Sequence, residues 1–101
     1  MRMIMQVRMP HEPFNALVRN GTAAAKMKQI LDDLKPEASY FAEWDGHRCG
    51  LLIVDISEAS QIPAVAEPWF LTFSADVHLR PAMTAEDLGR SDLGSIGKKW
   101  A

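Results

Sequence analysis

Cys49-Gly50-Leu51-Leu52-Ile53-Val54-Asp55-Ile56-Ser57 is apolar at successive positions rather than at alternate ones. Neighbouring side chains on a strand point to opposite faces, so this pattern marks a strand covered from above and below. Directly upstream, Asp45-Gly46 is a tight-turn signal, and before it Ala38-Ser39-Tyr40-Phe41-Ala42-Glu43-Trp44 reads as the other arm of a hairpin. Outward in both directions come a helical pattern and then one more strand-like run. The chain reads β-α-β-β-α-β.

That order is the ferredoxin-like α+β arrangement, an antiparallel sheet of order 4-1-3-2 with its helices on one face. Such a sheet leaves one face open, yet Leu51 and Ile53 point opposite to Leu52 and Val54. A second copy of the chain is the simplest cover, so a homodimer pairing face to face through its sheets is expected.

The 101 residues make a single domain over 1–101, near the lower end of what one core supports without staples. A net charge of −2 gives no basic footprint for nucleic acid and no polybasic membrane signal. Cys49 is the sole cysteine, which excludes an internal disulfide and a cysteine metal site. Met1 to Gln6 lacks the apolar core of a signal peptide and no run reaches transmembrane length, so a cytoplasmic protein is expected.

The first strand is expected from about Met3 to Met9, with Met3, Met5, Val7 and Met9 on one face and Ile4, Gln6 and Arg8 on the other. Pro13 suits the first turn of the helix that follows. Phe14, Leu17 and Val18 form one apolar stripe, and Met27, Ile30, Leu31 and Leu34 another, rotated by roughly 150°. One straight helix cannot bury both, so a break is expected at Asn20-Gly21-Thr22, with a second helix ending near Leu34. After the hairpin, Ser57 is the expected cap of a helical region over Glu58–Phe73, cut into two short pieces by Pro63 and Pro68. The last strand is expected over Ala75–Arg80. Thr84-Ala85-Glu86-Asp87 has the form of a capping box for a short C-terminal helix, and Gly89, Gly94 and Gly97 are expected to keep the tail irregular.

The hairpin from Gly46-His47 through Asp55-Ile56, with Ala66-Glu67-Pro68-Trp69-Phe70 leading into the last strand, resembles the dimeric α+β barrel superfamily. Muconolactone isomerases, small cofactor-independent monooxygenases and many short bacterial proteins without assigned function belong to it. The resemblance covers nearly the whole chain at the level of topology. It implies two sheets facing each other across a dimer, with a pocket enclosed between each sheet and its neighbouring helices or partner segments.

In the 4-1-3-2 order the first and last strands are neighbours, so alternation gathers Gln6, Arg8, His78 and Arg80 on the face opposite the helices. An arginine pair suits a carboxylate, which guanidinium binds in bidentate fashion, and His78 is a candidate catalytic residue for moving a proton. Glu43 or Asp55 is placed to neutralise one arginine, and Glu43 and Trp69 are candidate ligand-binding residues beside Gln6, Arg8 and Arg80. The other reading of the same cluster is structural ion pairs on a partly wet sheet. Trp69, Phe70, Tyr40 and Trp44 fit core or dimer packing as well as a ligand wall. His11 and His47 read as exposed residues, and Cys49 as an inert small apolar one. No metal-ligand spacing occurs, and neither a metal nor a cofactor is expected.

Other uses of the fold are disfavoured. RNA-recognition domains stack bases on aromatics of the first and third strands, which here contain none. Phosphate-cradling glycine loops and the serine-hydrolase elbow are missing. Two functions remain level. One is a cofactor-free enzyme, isomerase- or monooxygenase-like, acting on a small anionic or aromatic organic molecule. The other is a non-catalytic dimeric ligand-binding or regulatory module. Apolar cavity walls beside a lone polar cluster favour the first, and a packed interior with arginine–carboxylate pairs favours the second.

Overall fold

The computed structural model describes residues 1–101. Strand β1 (Arg2–Met9) leads into helices α1 (His11–Arg19) and α2 (Ala23–Leu34), then the hairpin β2 (Ala38–Trp44) and β3 (His47–Asp55). Helix α3 (Ile62–Phe73), strand β4 (Asp76–Pro81) and two short helices, α4 (Ala85–Arg90) and α5 (Leu93–Lys99), complete the chain. The sheet is antiparallel with order β2-β3-β1-β4, which is the expected 4-1-3-2 read from the other edge. The fold is ferredoxin-like α+β. No helix is long and apolar enough to cross a membrane.

Alternation along β1 works as the residues dictate. Met3, Met5, Val7 and Met9 are buried on the helix side, and Leu52 and Val54 of β3 join them. Trp69, Phe73 and Ile30 of the helices close this core. Gly50 faces the same side, where an added Cβ would stand 3.1 Å from the Phe41 ring of β2. The missing side chain lets that ring lie across the strand. Asp45 and Gly46 both take positive φ, 51° and 78°, which is the two-residue hairpin turn that matches strand twist.

The first helical region breaks where the apolar stripes change phase. α1 stops at Arg19, Gly21 takes φ 79°, and α2 starts at Ala23. The Asn20 side-chain oxygen accepts from the Thr22 N–H (3.1 Å) and hydroxyl (2.6 Å), holding the link. Phe14 and Leu17 reach the core from the first stripe, and Met27, Leu31 and Leu34 from the second, whereas Val18 stays exposed.

Three local expectations are corrected. The region after the hairpin is one three-residue 3-10 turn (Ala59–Gln61) and one continuous twelve-residue helix, not two pieces split by the prolines. Pro63 sits in the first turn, where no amide bond is lost, and Pro68 deprives only the carbonyl four residues back, on exposed Ala64. Glu58, not Ser57, caps that turn, and the Gln61 side chain accepts from the Ser57 N–H at 2.6 Å. The tail is more regular than its glycines suggest, because α5 runs through Gly94 and Gly97. The Thr84 capping box forms as expected, its hydroxyl accepting from Asp87 N–H while the Asp87 carboxylate accepts from Thr84 N–H, both at 3.0 Å.

Arg2 grips Glu37 through two nitrogens, Nε at 2.9 Å and Nη2 at 3.0 Å, tying the start of β1 to the start of β2. That hydrogen bond, more than the charge alone, holds the Glu37 carboxyl below its ordinary value. The Thr84 amide does the same for Asp87. Depressed carboxyl values stabilise the folded state above the unfolded-state value and lose that contribution as pH falls through the folded one. Stability measured by denaturant titration should therefore decline from neutral pH into the acid range, and Glu37→Gln should flatten part of that decline. Met5→Ala, which opens a hole at the centre of the core, should cost about 2–5 kcal/mol in the same assay.

Candidate functional site

The open face of the sheet carries Ala38, Tyr40, Ala42 and Trp44 of β2, and His47, Cys49, Leu51, Ile53 and Asp55 of β3. Arg2, Ile4, Gln6 and Arg8 of β1 and Asp76, His78 and Arg80 of β4 complete it. Toward β2 it is largely apolar, with Ile4, Tyr40 and Trp44 exposed and Leu51 and Ile53 half-buried. Toward β4 it is polar.

The registers place the expected quartet on this one face. Gln6 stands opposite His78, and Arg80 opposite Ile4. Arg8 stands opposite Cys49 on one side and Asp76 on the other. Arg8 does not, however, share its contacts with His78. Its Nη2 lies 2.8 Å from Nδ1 of His47, whose ring in turn stacks on His11 with centroids 4.5 Å apart. A three-residue cluster, Arg8–His47–His11, thus forms at one end of the face, away from exposed His78 and Arg80.

Two arginines of this face, Arg8 and Arg80, are unneutralised, whereas Arg2 pairs with Glu37. No carboxylate lies within ion-pair distance of Arg8 or Arg80; the ion pairs of the chain use Met1, Arg2, Arg19, Lys28 and Arg90. Arg8 is half-buried, and its Nε is shielded from solvent without a hydrogen-bond partner. A guanidinium can only donate. To accept from Arg8, Nδ1 of His47 must be unprotonated, with the ring proton on Nε2. The same Nδ1 lies 3.1 Å from the Asp45 carbonyl, which can only accept. One nitrogen cannot serve both, so the ring has two alternative protonation arrangements, one favoring Arg8 and the other the Asp45 carbonyl.

His11 and His47 also rim a cleft of about 690 Å³ between α1, α2 and the β2–β3 end. Its apolar wall comes from Met9, Phe14, Met27 and Phe41, and Glu43 and Arg48 line it as well. Arg48 is engaged already, donating to Asn15 at 2.8 Å and lying 4.5 Å over the Phe14 ring. A cleft of about 710 Å³ at the other end of the sheet is lined by Arg2, Glu37 and Asp55, whose charges satisfy one another or the chain's amino group.

Two expected ligand residues stand apart from the quartet. Glu43 points to the helix side of β2, accepts from Gly46 N–H at 3.0 Å and meets the cluster only through the cleft. Trp69 is corrected to a core residue. It is fully buried on the helix side beside Phe73, because the helix turns that face inward, and no ligand on the open face reaches it. Asp55 accepts from the amino group of Met1 at 2.7 Å and neutralises neither Arg8 nor Arg80. His11 and His47 are what sequence reasoning missed. The signal was present, since His47 precedes Cys49 by two residues and so shares its face, but using it required the β1–β3 register. No three His, Cys, Asp or Glu side chains converge to hold a metal ion.

No protein-family model matches the chain, and no curated protein does. Among solved structures the chain is similar to the de novo designed protein Ferredog-Diesel, at 10% identity and a TM-score of 0.48, over 80% of this chain and 85% of that one.

The protonation of His47 is directly observable. Nitrogen-15 spectra of the imidazole should show an unprotonated Nδ1 and a protonated Nε2. Arg8→Met should move the proton toward Nδ1, where the Asp45 carbonyl accepts it. Identical spectra in the two proteins would show that the Arg8–His47 bond does not set the tautomer.

Proposed function

We propose that the chain pairs face to face with a second copy, in the manner of the dimeric α+β barrels it resembles, and acts on a small organic anion without a cofactor. The observation that carries this reading is Arg8, a half-buried guanidinium with no carboxylate partner, one free Nε and its remaining contact on an imidazole nitrogen. A half-buried cation without a counter-charge has lost part of its hydration, and a carboxylate bound in bidentate fashion offsets that loss. The cleft walled by Phe14, Met27 and Phe41 is not lined by Arg8 and meets it only through His11 and His47 at its rim, so an apolar body on the ligand would have to pass these imidazoles.

The chemistry follows from the shared nitrogen. When an anion takes Nη2 of Arg8, the bond to His47 is lost, the ring proton moves to Nδ1 where the Asp45 carbonyl accepts it, and the lone pair passes to Nε2. A free imidazole nitrogen beside a bound carboxylate is placed to remove a proton from a neighbouring carbon and return it one position away, an isomerisation that is redox-neutral. His11, stacked on the same ring, fixes the orientation of that base. Gln6, His78 and Arg80 lie along the face that dimer pairing would enclose, and His78 is the second candidate for the proton. The alternative, a ligand-binding or regulatory module, shares the anion site and omits the proton transfer.

Calorimetric titration with benzoate and with short unsaturated dicarboxylates tests the binding. Arg8→Gln should weaken it about 10- to 100-fold, the range for charge-assisted hydrogen bonds. Solvent deuterium incorporation into the bound acid tests the chemistry. Exchange that disappears in His47→Gln, while binding persists, marks an enzyme; binding without exchange in the native protein marks the module. Unchanged affinity in Arg8→Gln would remove the anion site altogether.

A further inference from the structure

The molecule is far longer than its size requires. Its principal extents are 60 × 28 × 19 Å and its radius of gyration is 17.0 Å, where a compact chain of this length has about 13 Å. Helices α4 and α5 account for the difference. Neither has a buried residue and neither contributes to the core. Yet the segment is amphipathic: Leu88, Leu93, Ile96 and Trp100 are all exposed, Leu93 at 57% and Trp100 at 77%. The last three follow a three- and four-residue spacing that sets them on one stripe.

We propose that this arm, residues 85–101, lies across the open sheet face of a second copy of the chain and receives the partner's arm in return. The inference rests on the face-to-face pairing proposed above and states what seals it. Three quantities favour a second copy over another occupant. The accessible surface is 6906 Å² for 11.3 kDa, about 1,200 Å² more than a compact monomer of that mass exposes. A stable interface takes about 800 Å² per partner, so the excess is enough to supply one. Helices α4 and α5, six and seven residues joined at Asp92 with φ 57°, are about 9 and 10 Å long, so the arm covers part of the roughly 30 Å length of β3. Charge also matches. Lys98 and Lys99 end the arm without acidic partners, and Asp45 stands in the β2–β3 turn without a basic one. The apolar stripe has its counterpart in Ile4, Tyr40, Trp44, Leu51 and Ile53, which the helices of their own chain do not cover.

Sedimentation of the full chain at micromolar concentration should give a dimer. Leu93→Asp combined with Ile96→Asp should weaken association at least about 100-fold, while the thermal transition of the separated chain holds because both residues are exposed. Ile4→Asp, on the sheet, probes the pairing independently. A nitroxide on Ala101→Cys in unlabelled chain, mixed with nitrogen-15-labelled native chain, should broaden amide signals of Ile4, Leu51 and Ile53 in the labelled partner. A dimer broken by Ile4→Asp and untouched by the arm variants, with no intermolecular broadening, overturns the arm and leaves the sheet pairing. A native chain that sediments as a monomer overturns both. A monomer with a radius of gyration near 13 Å would show the arm folded on its own sheet, and overturns the exchange.

Discussion

The pairing of β1 with β3 is the constraint on which the rest depends. Met5 lies opposite Leu52, Val7 opposite Gly50 and Met3 opposite Val54, so the two central strands offer the helices one continuous apolar layer. Trp69, Phe73 and Ile30 close on that layer and make it the core. A slip of one residue would send this whole set to the open face and bring Gln6 and Arg8 into the core, a change far larger than the few kcal/mol by which small domains are stable. The register is therefore fixed by burial, and everything on the other face inherits its position from it.

The inherited arrangement is chemically uneven. Because Arg8 stands opposite Cys49, the residue two places before Cys49 falls within diagonal reach, and that residue is His47. The guanidinium turns to the imidazole rather than to Asp76, its other cross-strand neighbour. Ion pairs elsewhere in the chain, such as Arg2–Glu37 and Lys28–Asp32, tie exposed side chains and are ordinary surface pairs. Arg8 differs in being half-buried and without a carboxylate partner.

A small sheet with helices on one face has too little interior to bury all its apolar side chains. Here the surplus is divided between two places, the β2 side of the open face and the outer stripe of α4–α5. The two surfaces lie on the same chain and cannot meet within it while the arm projects outward. The long axis of 60 Å is the visible result. The fold, the proposed anion site and the proposed arm exchange all turn on one feature, the face that a single copy leaves uncovered.

Periodicity and turn signals determined the element order. The two-sided run Leu51–Val54, the Asp45-Gly46 turn and the phase change at Gly21 each have a local cause, and the sheet order follows from the ferredoxin-like arrangement that this element order matches. The face shared by Gln6, Arg8, His78 and Arg80 was legible for the same reason, since alternation is a property of a strand by itself. Three things only the tertiary structure decided. The β1–β3 register joined Arg8 to His47 and His11, residues 39 apart for the hydrogen bond, and no local pattern reports such a distance. Helix rotation took Trp69 into the core, because Pro68 is tolerated where its orphaned carbonyl is exposed. The outward course of α4–α5 followed from long-range packing too: Thr84 begins the arm through local hydrogen bonds, but where a capped helix then lies depends on the surface that receives it, and the chain's own core has no place for this one.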